Sequence, residues 1–182
     1  MMKARALFAT VLFLVLCHSI VLPGGSDRSE RLRERLDRCG GDSCGIVTDA
    51  MRVPLGQGAY VNSIKDPLCM FIDNESQWCE FWDHVGWSAC DTTLIDFHRE
   101  VAVVLALGNK PDTCHTVSIE KICRQGSMGA ELNVLGIETT FPVDENCGCF
   151  TAIVQPLDVV RIKRPVSAVT CYTRAEPATC GP

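Results

Sequence analysis

The sequence predicts a mainly β domain, an antiparallel sandwich or barrel that carries one short amphipathic helix at about residues 75–85 and several disulfides. Three observations predict it. Short apolar or alternating runs recur between turn signals about every eight to twelve residues, the spacing of sandwiches and barrels. One stretch alone switches to a helical period. Twelve cysteines in 182 residues follow a leader-like N-terminus, and in an oxidising compartment most cysteines become disulfides.

Lys3 and Arg5 precede an apolar run over residues 6–17 broken only by Thr10. This is the layout of a secretory signal peptide, and Cys17-His18-Ser19 places small residues for a cut after Ser19. The chain therefore divides into a signal peptide (1–19), a charged linker (20–38) and a disulfide-rich β domain (39–182). A lipoprotein leader acylated at Cys17 is the lesser alternative, because Leu16 is bulky where such leaders carry a small residue. The expected location is extracytoplasmic, secreted or periplasmic. Without the leader the net charge moves from −5 to −7. So acidic a chain gains nothing at nucleic-acid phosphates, and no nucleic-acid partner is expected. No later apolar run reaches spanning length, so no membrane span is expected in the mature chain.

The linker holds five arginines and four acids around Leu32 and Leu36. It reads as a solvated helix or tether, since so little apolar surface does not offset ordering entropy. Val53 to Ile64 offers a possible outer strand. In residues 74–86, Trp78, Phe81, Trp82 and Val85 fall at i, i+3, i+4 and i+7, one buried helical face. Asn74 caps this helix with Gln77 as its capping-box partner, and Gly86 suits the left-handed C-terminal cap. Asn74-Glu75-Ser76 is also a glycosylation sequon.

Residues 101–107 form a continuous buried strand. Residues 115–122 alternate, with Val117 and Ile119 on one face. Residues 131–139 place Leu132, Val134 and Ile137 inward. Residues 149–154 read as a further apolar strand ended by Pro156. Residues 158–164 set Val160 and Ile162 against Arg161 and Lys163. No internal repeat is visible.

Eleven cysteines remain after the leader, so at least one is free or paired with another chain. Disulfide candidates are Cys39, Cys44, Cys79, Cys90, Cys114, Cys123, Cys147, Cys149, Cys171 and Cys180. Cys39 with Cys44 would close a small loop, Cys79 with Cys90 would staple the helix, and Cys114 with Cys123 would bracket a strand. Cys171 with Cys180 would close a C-terminal loop. Cys147 and Cys149 are too close for an unstrained mutual bond. Cys147 and Cys149 with Cys114, His115 and Cys123 resemble a set of zinc ligands, but Cys-x-Cys is tighter than zinc spacing, and no metal or other cofactor is expected.

No metalloprotease, nucleophile-elbow or phosphate-loop motif occurs. His84 lies opposite the aromatic stripe. His98, between Asp96 and Glu100, has no nucleophile beside it. The chain is expected not to be an enzyme.

One ordered set of motifs is more specific. Trp78 and Trp82 are followed by Asp96-Phe97 and Glu100 at the entrance to a valine strand (Val101, Val103, Val104). Then come Gly108-Asn109-Lys110-Pro111 and, later, Pro156 before Val159-Val160. Over about residues 75–165 this order resembles the C-terminal domain of the PrcB family, subunits of protease complexes. The resemblance implies a mostly β, non-catalytic extracytoplasmic domain that helps a secreted protease assemble or persist. Asp96, Phe97 and Glu100 match the family's strand entrance; Gly108, Lys110 and Pro111 match its turn, with Lys110 replacing an arginine. The family turn continues Thr-Gly-Gly and an aromatic, where this chain has Asp112-Thr113-Cys114-His115. The turn must take another shape here.

The leading expectation is thus a secreted non-catalytic module that binds and stabilises a protease or other secreted protein complex. Alternatives are a protease inhibitor presenting residues 108–113 or 141–147, and a carbohydrate-binding or adhesive module using Trp87 and Tyr60. An enzyme would need partners converging on His98 or His115.

Overall fold

The computed structural model describes residues 45–54, 63–86, 90–126, 128–142 and 147–180. Within them, eight strands and one α-helix form a two-sheet sandwich with the helix on one outer face. The strands are β1 (Gly45–Ile46), β2 (Met51–Arg52), β3 (Leu68–Ile72), β4 (Glu100–Ala106), β5 (His115–Gln125), β6 (Glu131–Thr140), β7 (Leu157–Lys163) and β8 (Ala168–Pro177); the helix α1 is Glu75–His84. Sheet I has the order β1-β5-β6-β8 and sheet II the order β2-β7-β4-β3. The sheets remain separate, so the architecture is an open sandwich and not a closed barrel. It is not wholly antiparallel: β8 pairs parallel to β6 over ten residues, because the chain passes through β7 of the other sheet between them.

The sequence pattern explains the layers. β4 is apolar from Val101 to Ala106 because it is central in sheet II and buried on both faces. Its Ala102, Val104 and Ala106 join Val159 of β7 under α1. Its Val101, Val103 and Leu105 join Val160 and Ile162 against Ile119, Ile122, Leu132 and Val134 of sheet I. A β-carbon on Gly136 would collide with Leu105, so glycine there lets the sheets approach closely. Ile137 points outward, away from this core, since it lies five residues from Leu132 and strand side chains alternate.

α1 forms as its pattern requires. Asn74 Oδ1 accepts from Gln77 N at 2.9 Å, Gly86 sits at φ +82°, and Trp78, Phe81, Trp82 and Val85 are buried. Gln77 reciprocates one residue early, accepting from Asp73 N at 3.3 Å. Cys79 is bonded to Cys90, which ties α1 to the 3₁₀ turn Thr92–Leu94. The hydroxyl and then the amide of Thr93 donate to Asp91 and hold its carboxyl below the usual carboxylate range. That contribution is present above the ordinary aspartate pKa and is lost as pH falls through the lowered value.

Several expectations are corrected. Cys114 is bonded to Cys149, not Cys123. Cys114 and Cys123 stand at opposite ends of an extended strand, about 30 Å apart at 3.4 Å per residue, far beyond disulfide reach. The same reason separates Cys171 from Cys180. Cys171 lies within β8 and bonds Cys69, and Cys180 bonds Cys147. Cys123 is itself disulfide-bonded. Residues 149–154 form no strand; Val154 makes only an isolated bridge with Lys110. The outer strand expected over Val53 to Ile64 is only partly testable. Val53 N bonds Val159 O at 2.9 Å beside β2, Ile64 N bonds the Gln155 side chain, and residues 55–62 lie outside the described residues. The same holds for the leader, the linker, the Cys39–Cys44 pair, Tyr60 and Trp87.

Candidate functional site

The residues matched to the PrcB-like motif separate onto the two ends of β4. At its start, Asp96 shapes the chain reversal. Its Oδ1 accepts from His98 N at 3.1 Å, and its carbonyl accepts from Arg99 N and Glu100 N at 2.8 and 2.7 Å. Glu100 Oε2 accepts in turn from Asp96 N, and Phe97 lies against Trp78 at 6.2 Å between ring centroids. These residues position strand and helix. His84 and His98 are exposed, and His98 does not converge with other ionisable groups.

At the other end, Gly108, Lys110 and Pro111 build one wall of a loop cluster. Gly108 has φ +72°, and a β-carbon there would lie 2.7 Å from Lys65 O and 2.8 Å from Asp66 C. Only glycine satisfies both the dihedral and the backbone approach. Gly108→Ala is therefore expected to cost about 2–3 kcal/mol, the left-handed penalty plus displacement of residues 65–67; urea unfolding checks it. Next, Lys110 exchanges two backbone bonds with Val154, at 2.8 and 3.0 Å. Thr113 then clamps Phe150: Thr113 N donates to Phe150 O at 3.0 Å, and Phe150 N donates to Thr113 Oγ1 at 2.7 Å. Gln155 closes the base, donating to Asn109 Oδ1 at 2.6 Å and accepting from Ile64 N at 2.8 Å.

The result is a rigidly framed loop over residues 147–153. Two disulfides, Cys114–Cys149 and Cys147–Cys180, anchor its first turn. It has no charged side chain. At its surface Phe150 is 71% and Ile153 70% exposed, a large cost in apolar hydration for a loop held so firmly.

Beneath it lies a compact ionic cluster. Glu138 Oε1 meets Lys110 Nζ at 2.6 Å and His115 Nδ1 at 2.9 Å. His115 Nε2 faces Asp112 Oδ1 at 3.7 Å, and Asp112 also accepts from Cys114 N at 2.9 Å. So His115 does have the carboxylate partners that an enzymatic reading requires. Both its ring nitrogens face those carboxylates; the Thr140 hydroxyl also lies 3.5 Å from Nδ1, at the limit of a hydrogen bond and farther than the Glu138 carboxylate at 2.9 Å on the same nitrogen. The cluster pairs Lys110, His115, Glu138 and Asp112 with one another and leaves each of these side chains largely covered. Among the described residues no group of three or more His, Cys, Asp or Glu side chains forms a metal site.

A second feature is a shallow groove of about 210 Å³ beside β2. Ile119, Ile122 and Val160 line it, with Arg52 and Glu120 at its rim. Arg52 pairs there with buried Asp158 at 3.1 Å, and Asp158 accepts from Ile119 N at 2.6 Å. These bonds serve the β5 bulge between Ile119 and Lys121.

The turn expected at Lys110 and Pro111 is an isolated bridge at Lys110 followed by a bend at Pro111; the exposed loop was missed, because an apolar run is ordinarily a buried strand. The available signal was the pair of cysteines at its head, which draw the chain in two directions. Among the described residues no helix is long and apolar enough to cross a membrane. No family model, curated protein or solved structure matches the chain.

Proposed function

We propose that the chain is a secreted, non-catalytic interaction module that binds a protease or another secreted protein complex through residues 147–153 and stabilises it. The carrying observation is the exposure of Phe150 and Ile153 on a loop fixed by two disulfides and the Thr113 clamp. A pre-ordered loop loses little conformational entropy on binding. An uncharged apolar centre carrying an aromatic anchor matches the composition of interface cores. The several disulfides support an oxidising compartment, and the resemblance to PrcB-family domains supports a protease partner.

The clamp also shapes the mode of binding. The carbonyl of Phe150 already accepts from Thr113, so the peptide bond after it is not offered to a protease as a substrate's would be. This favours a subunit that engages its partner by side chains over a substrate-like inhibitor. Binding the folded partner alone would raise that partner's stability by mass action.

The test is capture from the protein's own secretome by the mature chain, followed by affinity measurement. Wild type is expected to recover a protease or a protease-containing complex in near-stoichiometric amount, with activity unchanged or prolonged. Phe150→Asp with Ile153→Asp is expected to weaken binding about 100-fold or more without lowering the melting temperature. Equal recovery by the double variant, or loss of protease activity on binding, would remove this reading.

A further inference from the structure

The outer face of sheet I, opposite the core it shares with sheet II, carries a second apolar cluster. Strand alternation and register place Cys123, Leu135, Ile137 and Tyr172 together there. Cys123 is 0%, Ile137 7% and Leu135 9% exposed. Apolar side chains on a sheet face open to water expose far more than this. Yet α1 covers sheet II, and among the described residues no element lies over sheet I.

We propose that this face is an intramolecular docking surface, and that residues 27–44 of the same chain occupy it. The proposal is independent of the loop at residues 147–153. Cysteine arithmetic supplies the first argument. Nine of the twelve cysteines lie among the described residues. Eight of them bond one another, and Cys123 is bonded too. Its partner must be Cys17, Cys39 or Cys44, and Cys17 belongs to the expected leader. A Cys123 bond to Cys39 or Cys44 brings the N-terminal segment onto the cluster. It also replaces the local Cys39–Cys44 loop.

Path and length agree. Gly45 pairs with Arg124 and Ile46 with Cys123 at the edge of sheet I, so the preceding chain emerges beside this face. Residues 27–38 as a helix span about 18 Å. Four strands need about 14 Å from first axis to last. Leu32 and Leu36, four apart, form the single apolar stripe of the segment and meet the single apolar stripe of the face. The face is rimmed by Glu120 and Glu176, both joined to Arg174, and residues 27–38 bring five arginines and four acids, a slight positive excess toward two carboxylates that share one arginine.

Non-reducing peptide mapping and hydrogen exchange of the mature full chain test this. Expected are a peptide joining Cys123 to Cys39 or Cys44, and amides of residues 30–38 exchanging at least about tenfold slower than an unstructured chain. Leu32→Asp with Leu36→Asp should abolish that protection, while Glu34→Ala, on the opposite side of the helix, should keep it. The wild-type measurements stand even if the double variant does not fold. Cys123 linked to Cys17 or to another chain overturns the proposal. So do unstructured exchange rates over residues 30–38, or protection that grows with protein concentration and so marks a second copy.

Discussion

Trp78→Ala is expected to lower stability by about 3–5 kcal/mol, the range for truncating a buried aromatic side chain. For a domain of this size that lowers the melting temperature by roughly 10–20 °C. Trp78 is completely buried and stands where the helix, the 3₁₀ turn and the entrance to β4 converge. Its ring lies edge-on to Trp82 at 5.0 Å and beside Phe81 and Phe97 at 6.3 and 6.2 Å. Its Nε1 donates to Asp91 O at 3.0 Å. Alanine leaves a cavity between α1 and sheet II and removes the bond to that carbonyl. Trp78→Phe keeps most of the volume and removes the donor, so it should cost about 0.5–1.5 kcal/mol, the net contribution of one hydrogen bond whose acceptor is only partly buried. Urea unfolding followed by near-ultraviolet circular dichroism separates the two variants. Equal losses would mean that the hydrogen bond, and not the packing, holds α1 to the sheet.

What the sequence disclosed follows the range of the interactions involved. α1 was legible because its cap, its stripe and its closing glycine all lie within thirteen residues and each has one structural meaning. β4 was legible because a strand buried on both faces needs no alternation. Cys79–Cys90 was legible because helix and turn hold the two cysteines near each other. β8 was not: its residues alternate only between half-buried and exposed, and parallel pairing with β6 depends on where β7 delivers the chain. The remaining disulfides depend on strand lengths and on which sheet each strand joins. The loop at residues 147–153 misled for the opposite reason. Its apolar residues have the composition of a strand, but two covalent anchors and the Thr113 clamp fix its backbone, so Phe150 and Ile153 need not be buried to be ordered. The motif positions show the same limit. Asp96 to Glu100 and Gly108 to Pro111 are neighbours in sequence, yet a full strand separates their roles, one structural and one at the candidate site.

Cys69→Ser with Cys171→Ser is expected to produce the second large loss, up to about 4 kcal/mol. The bond spans 102 residues, and chain-entropy arguments assign about 4.7 kcal/mol to a 100-residue loop against about 3 kcal/mol for a 15-residue one. Cys114–Cys149 and Cys147–Cys180 already shorten the open path in the unfolded chain, which brings the estimate down. The position of the bond adds a native-state effect. β3 is the edge of sheet II and β8 the edge of sheet I, and this is the covalent link between the two edges. Cutting it leaves β8 held by β6 alone on that side, so the loss should be local as well as global. Hydrogen exchange in the double variant should therefore speed up most in Ala168–Pro177 and least in α1. Cys79→Ser with Cys90→Ser should give the inverse pattern and a smaller fall in melting temperature. If the two variants melt together and β8 keeps its protection, the sheets are held by the Val103, Leu105, Val134 and Ile162 interface without covalent help. The long disulfide would then act only through the unfolded chain.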